Sequence, residues 1–305
     1  MGEVHLIPVK VNKLINVPEN IPYGVQMIKA PDSWRKAQGK GIVVAVIDTG
    51  CQVDHDDLSE NIIGGYNFTK DDAGNFEICQ DYLGHGTHVA GIIAANNNNT
   101  GIIGVAPKTS LLILKIIERN GTATYENLIN AIKYALTWRG ESGEQVSIIN
   151  ISLGGPKNDP ELHSVISSAV NKGVIIVAAG GNNGDNQAAT EEVLYPGAYK
   201  EVYQIGAVDS FSNIGYFSNS NSEVDFLAPG VNILSTFPLN KYAELSGTSM
   251  AAPHVSGAIA ILLSMFDERK ALDMPSYIYD YLSIHAKQLG YHSFLEGRGL
   301  IQIVL

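Results

Sequence analysis

From Gly41 onward the chain alternates short, almost purely apolar runs with segments of mixed character. The runs cover residues 42–47, 111–117, 146–151, 174–179 and 202–208. A strand with one wet face alternates apolar and polar positions. A strand apolar at nearly every position is covered on both faces, which is the condition of a parallel sheet. Between the runs, residues 87–95, 125–138 and 159–171 read as helices, and the third opens on Asp159-Pro160, a capping residue followed by a ring already set to helical φ. Strands alternating with helices predict an α/β fold, a doubly wound and mostly parallel sheet with helices on both faces. The polar stretch 96–102 is expected to interrupt the helix that precedes it. Residues 1–18 hold Pro8 and Pro18 and show no helical period, so they are expected to form an arm outside the core. No repeat and no Ser/Gly-rich linker divides residues 19–305, which read as one domain.

Composition narrows the classes of function. Lys and Arg number 20 and Asp and Glu 31, a net charge of −11, which argues against nucleic acid or an anionic membrane as the main partner. No stretch reaches the ~18 consecutive apolar residues of a membrane span. The first twenty residues lack the long apolar centre of a secretory signal. Cys51 and Cys79 are the only cysteines and read as free thiols. Together these predict a cytoplasmic protein with no membrane partner.

In a parallel α/β sheet, reactive groups belong at the carboxyl ends of strands. Asp48 ends the first apolar run in VVAVIDTG, His85 lies in GHGTHVAG where a helix begins, and Ser249 lies in SGTSMAAPHVSG at the start of another. A serine hydroxyl attacks only if a base takes its proton, and that base needs a third group to orient it. Imidazole can serve as base and then acid, and a carboxylate can hold its tautomer. Backbone N–H groups at a helix start can face a developing oxyanion.

These three blocks, in the order Asp, His, Ser, resemble the signature blocks of subtilisin-type serine proteases, and the resemblance runs from about Tyr23 to Gln302. It implies a serine endopeptidase with Asp48, His85 and Ser249 as catalytic residues. AAGGNNG resembles the family's oxyanion block, which makes Asn182 the second oxyanion donor, with Asn183 its neighbour. Ser152, Leu153 and Gly154 resemble the segment that pairs with the substrate backbone. Gly121, Ala123 and Tyr125 resemble the opposite wall, Ala123 standing where many relatives have Gly. The implied substrate is an extended, unfolded polypeptide.

The loop 96–102 resembles one that wraps calcium in this family. The resemblance implies Asp57 and Asn98 as side-chain ligands and Asn96, Thr100 and Ile102 as carbonyl ligands, oxygen donors that suit this hard cation. A weaker second cation site is implied near Gly197, Tyr199, Val202 and Asp225. The run Asp54-His55-Asp56-Asp57 otherwise reads as a solvated turn, and His88 and His254 as packing residues. Leu6-Ile7-Pro8 resembles the short extension of intracellular subtilisins, which lies across the active site until removed. Val9 follows Pro8 where that branch has an aromatic residue. The insertion 138–145 (WRGESGEQ) also resembles that branch. The branch implies residues 1–18 as an inhibitory extension, residues 19–305 as the catalytic domain, and a homodimer. A peptide-binding pseudoprotease is the alternative. A nucleotide-binding fold would need a G-x-G-x-x-G or P-loop turn, and the turn after the first run reads DTGCQVDH, which is neither.

Overall fold

The computed structural model describes residues 3–6, 10–15, 20–265 and 274–304. In chain order, β1 (Glu3–Leu6) and β2 (Lys10–Ile15) precede two short helices, α1 (Tyr23–Met27) and α2 (Ala30–Ser33). Next come β3 (Val43–Asp48), β4 (Ile62–Asn67), α3 (His85–Ala94), β5 (Ser110–Lys115), β6 (Thr122–Thr124) and α4 (Tyr125–Thr137). They are followed by β7 (Val146–Ile151), β8 (Leu153–Gly154), α5 (Pro160–Asn171), β9 (Ile175–Ala179), β10 (Tyr203–Val208) and β11 (Val224–Pro229). The chain continues through β12 (Ile233–Phe237), β13 (Lys241–Ser246), α6 (Thr248–Met265), α7 (Met274–His285) and α8 (Ser293–Glu296).

Seven strands form a parallel sheet in the order β11-β10-β9-β7-β3-β5-β4. All five apolar runs lie in it. Because successive side chains leave a strand on opposite faces, β3 feeds two separate cores. Val44 and Val46 join the cluster built with α3 and α6, while Val43, Ala45 and Ile47 join the one built with α4 and α5. This two-sided burial is the physical reason the runs carry no polar alternation. Asp159 caps α5 as its sequence suggests, accepting from the N–H groups of Glu161 and Leu162. After β3 the chain builds β4 and β5 on one side, and from β7 onward it builds the other. The switch point between β3 and β7 is therefore where an open α/β sheet leaves a crevice.

Four readings need correction. Strands β4 and β11 were not expected: Gly64-Gly65 dilutes the first, and Asp225 breaks the apolar run of the second. The loop 96–102 does not interrupt a helix, because α3 ends at Ala94 and no helix resumes before β5. The arm is not wholly outside the core, since Val4 is fully buried in the α4/α5 cluster. Finally, residues 54–57 are not simply a solvated turn. Asp54 and Asp56 face water, but His55 and Asp57 are wholly buried.

Among the described residues only α6 is long and apolar enough to cross a membrane, and it is the central helix of the larger core, 83% buried. Cys51 and Cys79 are both buried and unbonded. The arm adds one strand at the edge of a sheet and one in the middle of another. Strand β2 pairs antiparallel with β13, and β1 lies antiparallel between β6 and β8. The seven-stranded sheet, α3 to α6 and every other described core residue follow residue 20.

Candidate active site

Asp48 is the last residue of β3, at the switch point, and His85 is the first residue of α3. The two elements approach closely because Gly86 has no side chain: a Cβ there would sit 2.1 Å from the Gly50 carbonyl oxygen and 3.1 Å from Asp48 Cβ. His85 Nδ1–H donates to Asp48 Oδ1 at 2.7 Å, and the Thr49 N–H donates to the same oxygen at 2.7 Å. A carboxylate only accepts, so Nδ1 carries a proton, and in the neutral imidazole the lone pair is on Nε2. That Nε2 is buried and has no hydrogen-bond partner.

Ser249 is the second residue of α6, within the first turn. Asp48, His85 and Ser249 are 1%, 2% and 0% exposed, each buried at the end or start of its element. The Ser249 hydroxyl donates to the Ser152 carbonyl at 3.0 Å and not to His85, while the Ser152 hydroxyl donates to the Ser249 carbonyl at 3.0 Å. Asn182 is distinguished from Asn183 by what each touches. Asn182 Oδ1 accepts from the Thr248 N–H and hydroxyl at 2.8 and 2.9 Å, beside Ser249. Asn183 donates its backbone N–H to Asn219 Oδ1, away from that loop. With its oxygen committed to Thr248, the Asn182 amide can act toward a ligand only as a donor.

Asp81 has no place in the sequence reading. It lies four residues before His85 and is 2% exposed. Its Oδ1 accepts from Thr49 Oγ1 and the Gly84 N–H, and its Oδ2 from the Thr87 N–H and hydroxyl. One carboxylate thus ties the loop after Asp48 to the start of α3. A D-x-x-G-H spacing was the available signal, but an Asp before a helix is common enough to pass unnoticed. Lys115 was missed too. Wholly buried opposite Asp48 in β5, it donates to the Thr49 and Ile117 carbonyls and pairs with Asp71 at 3.2 Å.

The two substrate-wall segments face each other across β1. Val4 pairs with Ala123 on one side, His5 with Thr122 and Gly154, and Leu6 with Leu153. Gly121 stands in the turn before β6 and takes no part in the pairing. Tyr125 is buried, its hydroxyl accepting from the Lys157 N–H, and it shares with Val4, Ala123, Leu128 and Leu153 one apolar cluster. Ile7 and Pro8 lie outside the described residues, as does the Leu6 side chain.

Of the cation-site residues, Asp57 is the centre. Its Oδ1 accepts from Asn98 Nδ2 at 3.1 Å, and its Oδ2 from the Ile102 N–H and the Tyr242 hydroxyl, each at 2.9 Å. Among the described residues no Lys, Arg or His side chain pairs with this buried carboxylate. Asn98 Oδ1 accepts from the Thr100 N–H and hydroxyl, and Asn96 keeps a buried, unpartnered Nδ2. A buried carboxylate with no cationic side chain beside it and with amide and carbonyl oxygens nearby has the chemistry a hard cation takes, while the Asn96 Nδ2, a donor only, adds nothing to it. The second set is arranged differently. Asp225, raised by burial to about 6, accepts from the Gln204 N–H and the Tyr279 hydroxyl, and the Tyr199 carbonyl accepts from the Val202 N–H. Asp225 is thereby engaged with the sheet and α7, and the side-chain amide of Gln204, next to Gly197, is buried without a partner.

His88 and His254 are packing residues, wholly buried and pushed down by burial to about 3 and about 4. Both are neutral in the folded protein, whereas the unfolded chain protonates them near 6.5. Their contribution to stability is therefore complete above pH 6.5 and is lost as pH falls from 6.5 to 4 and on toward 3, roughly 6 kcal/mol of it by pH 4. Melting temperature should drop steeply over that interval. Calorimetry at pH 5 in buffers of different ionisation heat should show close to two protons taken up by these histidines on unfolding. Unfolding without proton uptake would remove this explanation.

The parallel α/β sheet carries an Asp–His pair at its switch point, and α6 carries a buried serine in its first turn, the residue types a serine hydrolase uses. The chain matches the Subtilase family over residues 39–298 and belongs to it. It is 46% identical over 302 residues to an intracellular serine protease of Paenibacillus polymyxa, covering 99% of this chain and 91% of that protein. It is 51% identical over 269 residues to the major intracellular serine protease of Bacillus subtilis (strain 168), covering 88% and 82%. Subtilisin DY of Bacillus licheniformis is 39% identical over 286 residues, covering 93% and 98%. The protein is a subtilisin-type serine endopeptidase acting on polypeptides.

Proposed function

We propose that the protein is a cytoplasmic endopeptidase that cuts extended polypeptides with an Asp48-His85-Ser249 triad and is made in a form inhibited by its own residues 1–18. The two relatives named as intracellular support the location, and the same resemblance is the ground for a homodimer. The observation that carries the inhibited form is the seat of β1, a middle strand between β6 and β8 with Val4 buried beside Tyr125 and Leu153. An extended substrate would add to the same two edges by main-chain pairing.

Once the arm leaves, the Ser249 hydroxyl turns from Ser152 to the unpartnered His85 Nε2. Nε2 takes the proton as Oγ attacks the scissile carbonyl, and Asp48 stabilises the imidazolium that results. The oxyanion is held by the Ser249 N–H and the Asn182 amide. His85 then gives its proton to the leaving amine, and water, deprotonated by the same nitrogen, hydrolyses the acyl-enzyme. A serine-reactive fluorophosphonate tests this against the pseudoprotease alternative. A chain shortened to begin at Asn20 should be labelled fast and the full chain slowly, by intact mass. Failure of both to react would favour a silent peptide binder.

Calcium belongs to the same proposal. Asp57, Asn96, Asn98, Thr100 and Ile102 would hold it, and its chemistry there is structural, a neutralising bridge between the Asp57 turn and the 96–102 loop. A ligand bound only by the folded state stabilises it by mass action, ~4 kcal/mol at a thousandfold excess over Kd. Excess chelator should therefore lower the melting temperature by several degrees, and added calcium should restore it. An unchanged melting curve would remove calcium from the reading.

A further inference from the structure

The arm meets the rest of the chain twice, and the second meeting is with a different sheet from the one that seats Val4. Strand β2 runs antiparallel along β13, from Lys10 opposite Ser246 to Ile15 opposite Tyr242. Without it β13 is the edge of a two-stranded sheet with β12. Ser246 lies three residues before Ser249, so the β13 edge starts at the nucleophile and leads away from it. Strand β1 ends at Leu6, opposite Leu153 and next to Ser152, whose carbonyl accepts from Ser249 Oγ. The two strands therefore flank Ser249 in chain order, β1 before it and β2 after it. A substrate paired in the register of β1 and β2 and cut between the positions of Leu6 and Lys10 would bring its sixth to ninth residue beyond the cut to the place of Ile15, opposite Tyr242.

We propose that the β13 edge from Ser246 to Tyr242 is a binding strand for the substrate chain beyond the cut, engaging it as far as about the eighth residue. The occupant is an extended polypeptide, and the arm is the example of it already seated there. Because the pairing is through the main chain, it tolerates any downstream sequence except one with blocked N–H groups. What it selects is length. Short peptides end before most of the ladder and lose its hydrogen bonds, whereas an unfolded protein segment spans it. A register irregularity between Glu244 and Leu245 divides the ladder, so the gain should come in two parts, one near Ser246 and one beyond.

This inference rests on the endopeptidase reading, and its test separates the two. The chain beginning at Asn20 keeps the seven-stranded sheet, α3 to α6 and every described core residue but Val4, and its thermal unfolding is recorded first. It is then given quenched fluorescent peptides with identical residues before the cut and two, four, six, eight or ten residues of fixed polar sequence after it. The expected kcat/KM climbs at least tenfold between four and eight residues and then levels. N-methylation of alternate backbone nitrogens beyond the third residue should erase the gain in one of the two alternating sets. Cleavage with a profile flat beyond four residues would overturn the binding strand and leave the endopeptidase standing. A flat profile from a shortened chain that sediments as a dimer would assign the edge to a second copy instead. No cleavage at any length would overturn the underlying reading and this one with it.

Discussion

Replacing Ser249 with Ala should lower kcat by about 10⁶, the magnitude that loss of the nucleophile has in subtilisin itself. The effect is this large because the proposed triad would work as a unit. His85 Nε2 has a lone pair ready only because Nδ1 is bound to Asp48, and without the hydroxyl that base has nothing to deprotonate but water. Folding should be little changed. The lost Ser249 hydroxyl donates to one carbonyl, a hydrogen bond worth ~1 kcal/mol net. The Ser152 hydroxyl still bridges to the Ser249 backbone carbonyl, which the substitution leaves in place. Measured on the chain from Asn20, the variant should keep its melting temperature within a few degrees. Peptidase activity within a hundredfold of the parent would sink the assignment.

Removing the arm should raise activity on short peptides by on the order of 10² or more. Burying Val4 contributes ~1.5–3 kcal/mol. The strand hydrogen bonds of β1 and β2 contribute ~0.5–1.5 kcal/mol each, net. Because the arm is tethered, it competes at an effective concentration of about millimolar. A few kcal/mol retained after the entropy of ordering the arm is enough for two decades of inhibition. Val4→Asp in the full chain is the sharper version, since it drives a carboxylate into the cluster of Ala123, Tyr125, Leu128 and Leu153. That variant should approach the activity of the shortened chain while keeping every residue of the catalytic domain. If the full chain is as active as the shortened one, the arm is not an inhibitor.

The sheet was legible because parallel strands buried on both faces must be apolar throughout, as residues 42–47 and 174–179 are. The strands that escaped notice escaped for local reasons. In β4 Gly64 packs against Trp138 and Gly65 against the Cys79 sulfur, and in β11 Asp225 is tied by Gln204 and Tyr279. The site was legible in its three blocks, and less so in what supports them. Asp81 joins Thr49, far away in the chain, to its own neighbours Gly84 and Thr87, and Lys115 acts through backbone carbonyls and Asp71, so beyond the D-x-x-G-H spacing they leave little local pattern.

The sequence by itself determined the parallel α/β class, the strand and helix that carry Asp48 and His85, and the chemical types at the centre, because periodicity, capping and signature blocks are local properties. Only the tertiary structure decided that Ser249 is turned to Ser152 with His85 Nε2 left unpartnered, that Asn182 and not Asn183 reaches Thr248, and that the arm joins two separate sheets. Those outcomes depend on distances between residues far apart in the chain, which are set when the two cores close on either face of the sheet.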